Sequence, residues 1–223
     1  MINVIGYESE FKLIYNDLIN KKLNNSILIK GAKGIGKFFF IKKIIEEFIK
    51  SKIENNQINK HLSLFENNSH PNIKIIKKEI DEKTKKTKNN ITIDQIRDLN
   101  HFSQETSSID DFPKFILIDS ADDLNINSSN ALLKLLEEPK SDTYFFLISH
   151  YSSLLLPTIK SRCLKIYLNS HNYDNFKDIL ISNKLTFDDE LYKFLFDITN
   201  GSPGIIREFD YAGFLEIFDD LII

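Results

Sequence analysis

At 223 residues the chain has room for one large or two small domains, and 42% apolar residues, 18 Phe among them, suffice for a buried core. A net charge of −3 excludes a wholly basic nucleic-acid glove while leaving local patches open, and a single Cys excludes a disulfide framework and a four-Cys zinc site. There is no basic-then-apolar leader and no 18-residue apolar run, so the expectation is a soluble, cytoplasmic protein.

In chain order, Phe11, Ile14, Tyr15, Leu18 and Ile19 recur at helical spacing, and Ser26–Ile29 reads as a short apolar strand. The strand ends at Gly31, where GAKGIGKF (31–38) fits the phosphate-loop pattern GxxxxGK[ST] except at its last position. Glycines in such a loop let backbone N–H groups turn inward around an anion, the Lys reaches the outer phosphates, and the hydroxyl ligates Mg²⁺. Gly31, Gly34, Gly36 and Lys37 are therefore candidate nucleotide-binding residues, but Phe38 stands where the hydroxyl belongs, and a benzyl group ligates no metal. Two readings stay open: a degenerate loop that binds ATP or ADP weakly, and a glycine-rich turn that binds no nucleotide. A helix over Phe39–Ile49 follows.

Residues 50–72 are polar and Asn-rich, with helical hints around Ile58–Phe65. His61 and His70 are too few to form a metal site, so no metal is expected, and both read as surface histidines. After a strand at Ile73–Ile76, the stretch 78–90 carries Lys78, Lys83, Lys85, Lys86 and Lys88. It could contact a DNA backbone, or it could be a solvated hairpin tip balanced in part by Glu79, Asp81 and Glu82. Charge runs are usually solvated faces, which favours the second reading. Residues 91–103 predict a helix capped near Asp94 that buries Ile93, Ile96, Leu99 and Phe102.

Phe115–Ile118 predicts a buried parallel strand, and Asp119 then sits at its carboxyl end, where open α/β sheets place ligands. A helix capped by Asn127 or Ser128 shows the stripe Leu132, Leu135, Leu136 and stops at Pro139. A second strand, Tyr144–Ser149, and a short helical piece lead to Ser161-Arg162-Cys163. Arg appears only at 97, 162 and 207, so each Arg invites a specific role. Two amphipathic helices follow, one presenting Phe176, Ile179 and Leu180 and the other Leu191, Phe194, Leu195 and Ile198, with Asn200-Gly201 as a C-cap.

The order of strand with terminal acid, helix ending Glu137-Glu138-Pro139, strand, then Ser-Arg-Cys resembles the clamp-loader branch of the AAA+ ATPases. The wording ITIDQIRDL (91–99) is similar to that branch as well, and Gly201-Ser202-Pro203-Gly204 is similar to the delta-prime family of bacterial clamp-loader subunits. The resemblance implies an α/β fold: an AAA+ parallel-sheet P-loop-type domain (1–168) followed by a small helical lid domain (169–209). It leaves 210–223 as a terminal helix that could begin a collar domain. The four-Cys zinc module found in many relatives has no counterpart here.

What the resemblance implies for chemistry is mixed. Active relatives carry two acids at the end of this strand; here Asp119 is followed by Ser120, which cannot act as a base, and Asp122 lies too far along the turn to replace it directly. Asp119 is then a remnant metal-positioning acid or a strand-end cap. Active relatives also place a nucleotide-sensing Arg where Gly204 stands, with Arg207 three residues later. In contrast, Arg162 matches the arginine that the family supplies in trans to the γ-phosphate on a neighbouring subunit; the alternative is an ion pair with a surface carboxylate. Cys163 reads as a small packed side chain. The implied function is a non-hydrolysing clamp-loader subunit of the DNA polymerase III holoenzyme that requires no cofactor. Its implied partners are the motor (gamma/tau) and delta subunits, the sliding clamp, and primed DNA through the assembled complex. Two other classes stay in view: an active P-loop ATPase or remodelling protein, and a DNA-binding module using Lys78–Lys88.

Overall fold

The computed structural model describes residues 4–80, 84–105, 107–109, 111–140, 142–151 and 153–208, and of residues 207 and 208 only the backbone. Lys83 and the terminal helix expected over 210–223 lie outside the described residues. By internal contacts the chain divides into two units, residues 1–31 with 37–168, and residues 32–36 with 169–223.

The first unit is built on five parallel strands, β1 (Ser26–Lys30), β2 (Ile73–Ile76), β3 (Lys114–Ile118), β4 (Thr143–Ser149) and β5 (Leu164–Tyr167), in the order β2-β3-β4-β1-β5. Its helices are α1 (Glu8–Ile19), α2 (Lys37–Lys52), α3 (Ile58–Glu66), α4 (Ile93–Gln104), α5 (Ile126–Glu137) and α6 (Pro157–Arg162). Every residue of β3 and β4 is buried. Successive strand side chains point to opposite faces, so both faces must be covered. On one face Ile116 and Ile118 of β3 and Phe145 and Leu147 of β4 join Ile96, Leu99, Leu132, Leu135 and Leu136 of α4 and α5. On the other, Phe115 meets Phe48 of α2 edge-on at 5.3 Å and stacks on Tyr144 at 5.9 Å. Ring-rich packing of this kind absorbs much of the Phe content, each fully buried ring contributing about 2–3 kcal/mol. Asn72 shows how a buried loop is satisfied, its side-chain amide donating to the Phe112 carbonyl at 2.9 Å while its own carbonyl accepts from Phe115 N–H.

Three helix starts or faces differ from the pattern expected above. Thr92, not Asp94, caps α4: its hydroxyl accepts from Gln95 N–H while the Gln95 side chain accepts from Thr92 N–H, a reciprocal pair that Asp94 cannot make. Asn125, not Asn127 or Ser128, caps α5, because its side chain accepts from Ser128 N–H at 2.9 Å and starts the helix two residues earlier. In the second unit, α7 (Tyr173–Ser182) and α8 (Asp189–Thr199) pack around Phe176, Leu180, Leu191, Tyr192 and Leu195, and Ile198 is exposed while Thr199 is buried. Thr199 can be buried because its hydroxyl donates to Leu195 O at 2.7 Å. Asn200 in the left-handed region and Gly201 end α8 as expected.

His61 and His70 are not surface residues. Both are buried, and His61 Nδ1 lies 3.1 Å from His70 Nε2. His70 Nδ1 accepts from Asn72 N–H at 3.1 Å, so the proton of the neutral ring sits on Nε2 and is donated to His61 Nδ1. The pair thus ties α3 to the start of β2. Among the described residues no group of three or more His, Cys, Asp or Glu gathers as a metal site, and no helix is long and apolar enough to cross a membrane.

Burial and the neighbouring His61 push His70 down to about 4. Between that value and the ordinary histidine range near 6.5 the unfolded chain binds a proton that the folded chain does not, so stability rises with pH across this window. Lowering the pH from 7 to 4.5 is expected to cost on the order of 2 kcal/mol through His70. Urea unfolding of the parent and of His70→Gln checks it: the variant, which cannot take up the proton, should show a visibly shallower pH slope between 6.5 and 4.5.

Candidate functional site

The carboxyl ends of β1, β3 and β4 carry the polar groups that the buried strands exclude. Asp119 closes β3 and its N–H donates to Ile76 O at 2.8 Å. Ser120 adopts the left-handed region at φ 65° and turns the chain into the 3₁₀ turn Ala121–Asp123. That turn aims Asp122 at the end of β4, where its carboxylate accepts from the Ser149 hydroxyl at 2.8 Å, His150 N–H at 2.5 Å and Tyr151 N–H at 3.1 Å. With three donors converging on it, Asp122 ties two strand ends together and is no substitute for a water-activating base. Burial raises Asp119 above the usual carboxylate range, against the opposing pull of Lys77 and Lys37.

Lys37, the first residue of α2, is 3% exposed, and its Nζ donates to Gly31 O at 2.7 Å. Burial brings its ammonium down to about 8 in spite of Asp122 and Asp119. The lysine that would reach a phosphate is hydrogen-bonded to the loop that would carry it. Phe38 is half-buried directly after it.

The segment between Gly31 and Lys37 belongs to the second unit, and its glycines are required for different reasons. Gly34 has φ +83°, and a Cβ there would lie 2.7 Å from Ile205 Cγ1 and 2.9 Å from Ile205 N. Its carbonyl accepts from Gly204 N–H at 2.7 Å, and a Cβ on Gly204 would in turn lie 2.7 Å from Gly34 O. Ile35 O accepts from His171 Nε2 at 3.0 Å, which fixes that ring's proton on Nε2. Gly36, at φ +92°, has nothing within 4 Å of a Cβ. Gly204 therefore contributes a close backbone approach to Gly34. The side chain of Arg207 lies outside the described residues.

Arg162 ends α6, and its Nη2 lies 2.5 Å from Glu137 Oε1, with Nη1 donating to Thr158 O at 3.0 Å. The surface-carboxylate pairing held open above is thus present. The structure brings Lys37 to Gly31 and within electrostatic reach of Asp119 and Asp122, and it places Arg162 with Glu137. Sequence reasoning gave no role to Asp122 or Glu137. The Glu137-Glu138-Pro139 helix end marks a stop and forms part of the family resemblance, and neither points to a contact with an Arg 25 residues later. Cys163 is buried among the α5 and α6 apolar residues and its thiol is pushed up to about 11, which makes it unreactive packing. The two ends of the lysine-rich stretch are joined by an Ile80–Thr87 bridge and by Lys88 N–H donating to Glu79 O at 2.8 Å. Two of its lysines are paired, Lys88 with Glu79 at 2.7 Å and Lys78 with Asp123 at 3.1 Å.

The family model described as "DNA polymerase III, delta subunit" matches residues 6–172. The DNA polymerase III subunit delta' of Pseudomonas aeruginosa is 44% identical over 97 residues, covering 44% of this chain and 27% of that protein. The subunit delta' of Bacillus subtilis is 30% identical over 154 residues, covering 68% of this chain and 44% of that protein. The chain belongs to the delta-prime family of DNA polymerase III clamp-loader subunits. It spans less than half the length of these two relatives. Among solved structures, a gamma subunit-related protein of Thermotoga maritima superimposes with a TM-score of 0.58 at 23% identity, covering 79% of this chain and 53% of that one. The Thermotoga maritima RuvB Holliday junction branch migration motor superimposes at 0.53 and 15% identity, covering 88% and 56%. The fold of this delta-prime family member is that of the AAA+ proteins.

The two loop glycines yield a contrast that can be measured. Gly34→Ala combines a left-handed backbone with a backbone clash and is expected to cost about 2–3 kcal/mol, lowering Tm by several degrees. Gly36→Ala carries the conformational cost alone, about 1 kcal/mol. Thermal melting followed by circular dichroism should rank the parent above Gly36→Ala above Gly34→Ala; equal losses would mean the approach to Ile205 is loose.

Proposed function

We propose that this chain is a delta-prime-type subunit of the DNA polymerase III clamp loader that hydrolyses no ATP itself and supplies Arg162 in trans to the nucleotide of a neighbouring motor subunit. One observation carries the first half: half-buried Phe38 follows Lys37 at the start of α2, where a Mg²⁺-ligating hydroxyl would stand, and a benzyl group ligates no metal. Ser120 removes the second acid independently, so the metal and the attacking water both lack their usual partners. No cofactor is required for this role, and any ATP or ADP would bind weakly through the remaining backbone cradle of Gly31, Gly34, Gly36 and Lys37, with Asp119 a remnant. Support for the second half lies in family membership and in the chemistry of Arg162. A guanidinium is permanently charged, planar and able to bind a phosphate through two N–H groups, and it neutralises charge that develops on a transferring phosphoryl group. The subunit would work in the cytoplasm beside motor (gamma/tau) and delta subunits, in a hetero-oligomer that loads the sliding clamp on primed DNA.

The isolated chain should release phosphate from ATP no faster than the uncatalysed background; robust magnesium-dependent turnover would make it an active ATPase and sink the first half. In a complex reconstituted with the motor and delta subunits, Arg162→Ala and Arg162→Lys should each lower ATP hydrolysis at one interface by more than about tenfold, with assembly intact. A complex that hydrolyses ATP and loads clamps like the parent would leave Arg162 a surface ion-pair residue.

A further inference from the structure

We infer that Glu137 is a positioning residue for Arg162: its carboxylate holds one edge of the guanidinium so that the other edge faces a phosphate presented from outside the subunit. The inference rests on the trans-acting role given to Arg162 above. Glu137 and Arg162 are the last residues of α5 and α6. Leu132, Leu135 and Leu136 of α5 share one core cluster with Ile159 of α6 and with Leu155 and Cys163 on either side of that helix. The two helix ends are therefore fixed side by side by apolar packing before any charge is considered.

The local electrostatics of α5 argue against Glu137 being there for the helix. A carboxylate in the last turn faces the negative end of the helix dipole, the wrong sign for stabilisation. Its compensation comes from Arg162, whose Nη2 lies 2.5 Å from Glu137 Oε1. The Thr158 carbonyl, one turn back in α6, takes Nη1 at 3.0 Å. Two acceptors thus grip two nitrogens of one planar fork, while among the described residues two of its five N–H donors are engaged. The side chains of Arg162 and Glu137 remain 34% and 47% exposed, so the pair is open to solvent and its contribution to stability is small. What the grip supplies is order. An arginine side chain with several soft torsions must otherwise be immobilised when it meets an oxyanion, and a fork already held in one plane loses less freedom at that moment.

The experiment uses the complex reconstituted with motor and delta subunits, carrying parent chain, Glu137→Ala, Glu137→Gln, Arg162→Ala or the Glu137→Ala/Arg162→Ala pair. Glu137→Ala should lower kcat for ATP hydrolysis about three- to tenfold with KM for ATP nearly unchanged. Glu137→Gln, whose amide oxygen can still accept from Nη2, should fall between it and the parent. The double variant should match Arg162→Ala, because a positioning residue has nothing left to position. In the chain alone, ¹⁵N relaxation of the Arg162 Nε–H should report an ordered side chain in the parent and a mobile one in Glu137→Ala, with Tm shifted by no more than about 2 °C. Parent-like rates for Glu137→Ala beside an impaired Arg162→Ala would overturn the positioning role and leave the trans-acting arginine standing. A faster Glu137→Ala would show that the carboxylate masks the arginine, and equal Arg162 order in both chains would show no grip at all. An unimpaired Arg162→Ala would remove the reading on which this one rests.

Discussion

The constraint on which the rest depends is that β3 and β4 are buried on both faces and β1 nearly so. Along a strand sealed on both sides an unsatisfied polar side chain is costly, and Ser26, whose buried hydroxyl has no partner, stands at the very start of β1. Polar chemistry is therefore pushed to the strand ends and to the helices that follow them. At the carboxyl ends this produces Asp119, the Asp122–Ser149 tie and, one loop on, Lys37. Lys114 marks the other end: its stem is buried while its ammonium donates to Phe102 O, so a cation survives at a strand start only by finding a carbonyl.

Much of this was legible because period and length are strong signals for buried parallel strands. Phe115–Ile118 and Tyr144–Ser149 are continuous apolar runs, and the structure extends each by a single residue, Lys114 and Thr143. β5 was not legible. Its residues Leu164, Lys165, Ile166 and Tyr167 are mostly exposed, so burial leaves no mark on a four-residue edge strand. The caps of α4 and α5 were misplaced for a related reason: Thr92, Asp94, Asn125, Asn127 and Ser128 are all competent cap residues, and only backbone geometry selects among them. The histidine pair was invisible because it joins residues nine apart through a turn, with no spacing rule to announce it.

The candidate site was half legible. Motif spacing singled out Gly31, Gly34, Gly36, Lys37 and Asp119 as candidates, and it set Phe38, Ser120 and Gly204 apart as departures from the pattern. What spacing cannot reveal is where a backbone carbonyl points. Gly204 looks in the sequence like a sensor arginine gone missing. In the fold its N–H meets Gly34 O, at a distance that any side chain on either residue would enlarge. The same residue is thus a deletion when read against active relatives and a packing requirement when read from its neighbours.

The shape of the Gly31–Lys37 loop follows from contacts within the chain. The Lys37 ammonium donates to Gly31 O and stands near Asp119 and Asp122, while Lys77 and Lys78 offset Asp119 and Asp123. Removing Lys37 would leave a half-buried carbonyl without its donor and shift the local balance toward three carboxylates. Each of those consequences costs stability whether or not a nucleotide is ever bound. Gly34, Gly204 and Lys37 are accordingly held in place by the fold itself, through close backbone approach and a hydrogen bond that need no bound nucleotide. Arg162, half-buried and outside this network, is held instead by the Glu137 carboxylate and the Thr158 carbonyl, two contacts that leave the phosphate-loop region untouched.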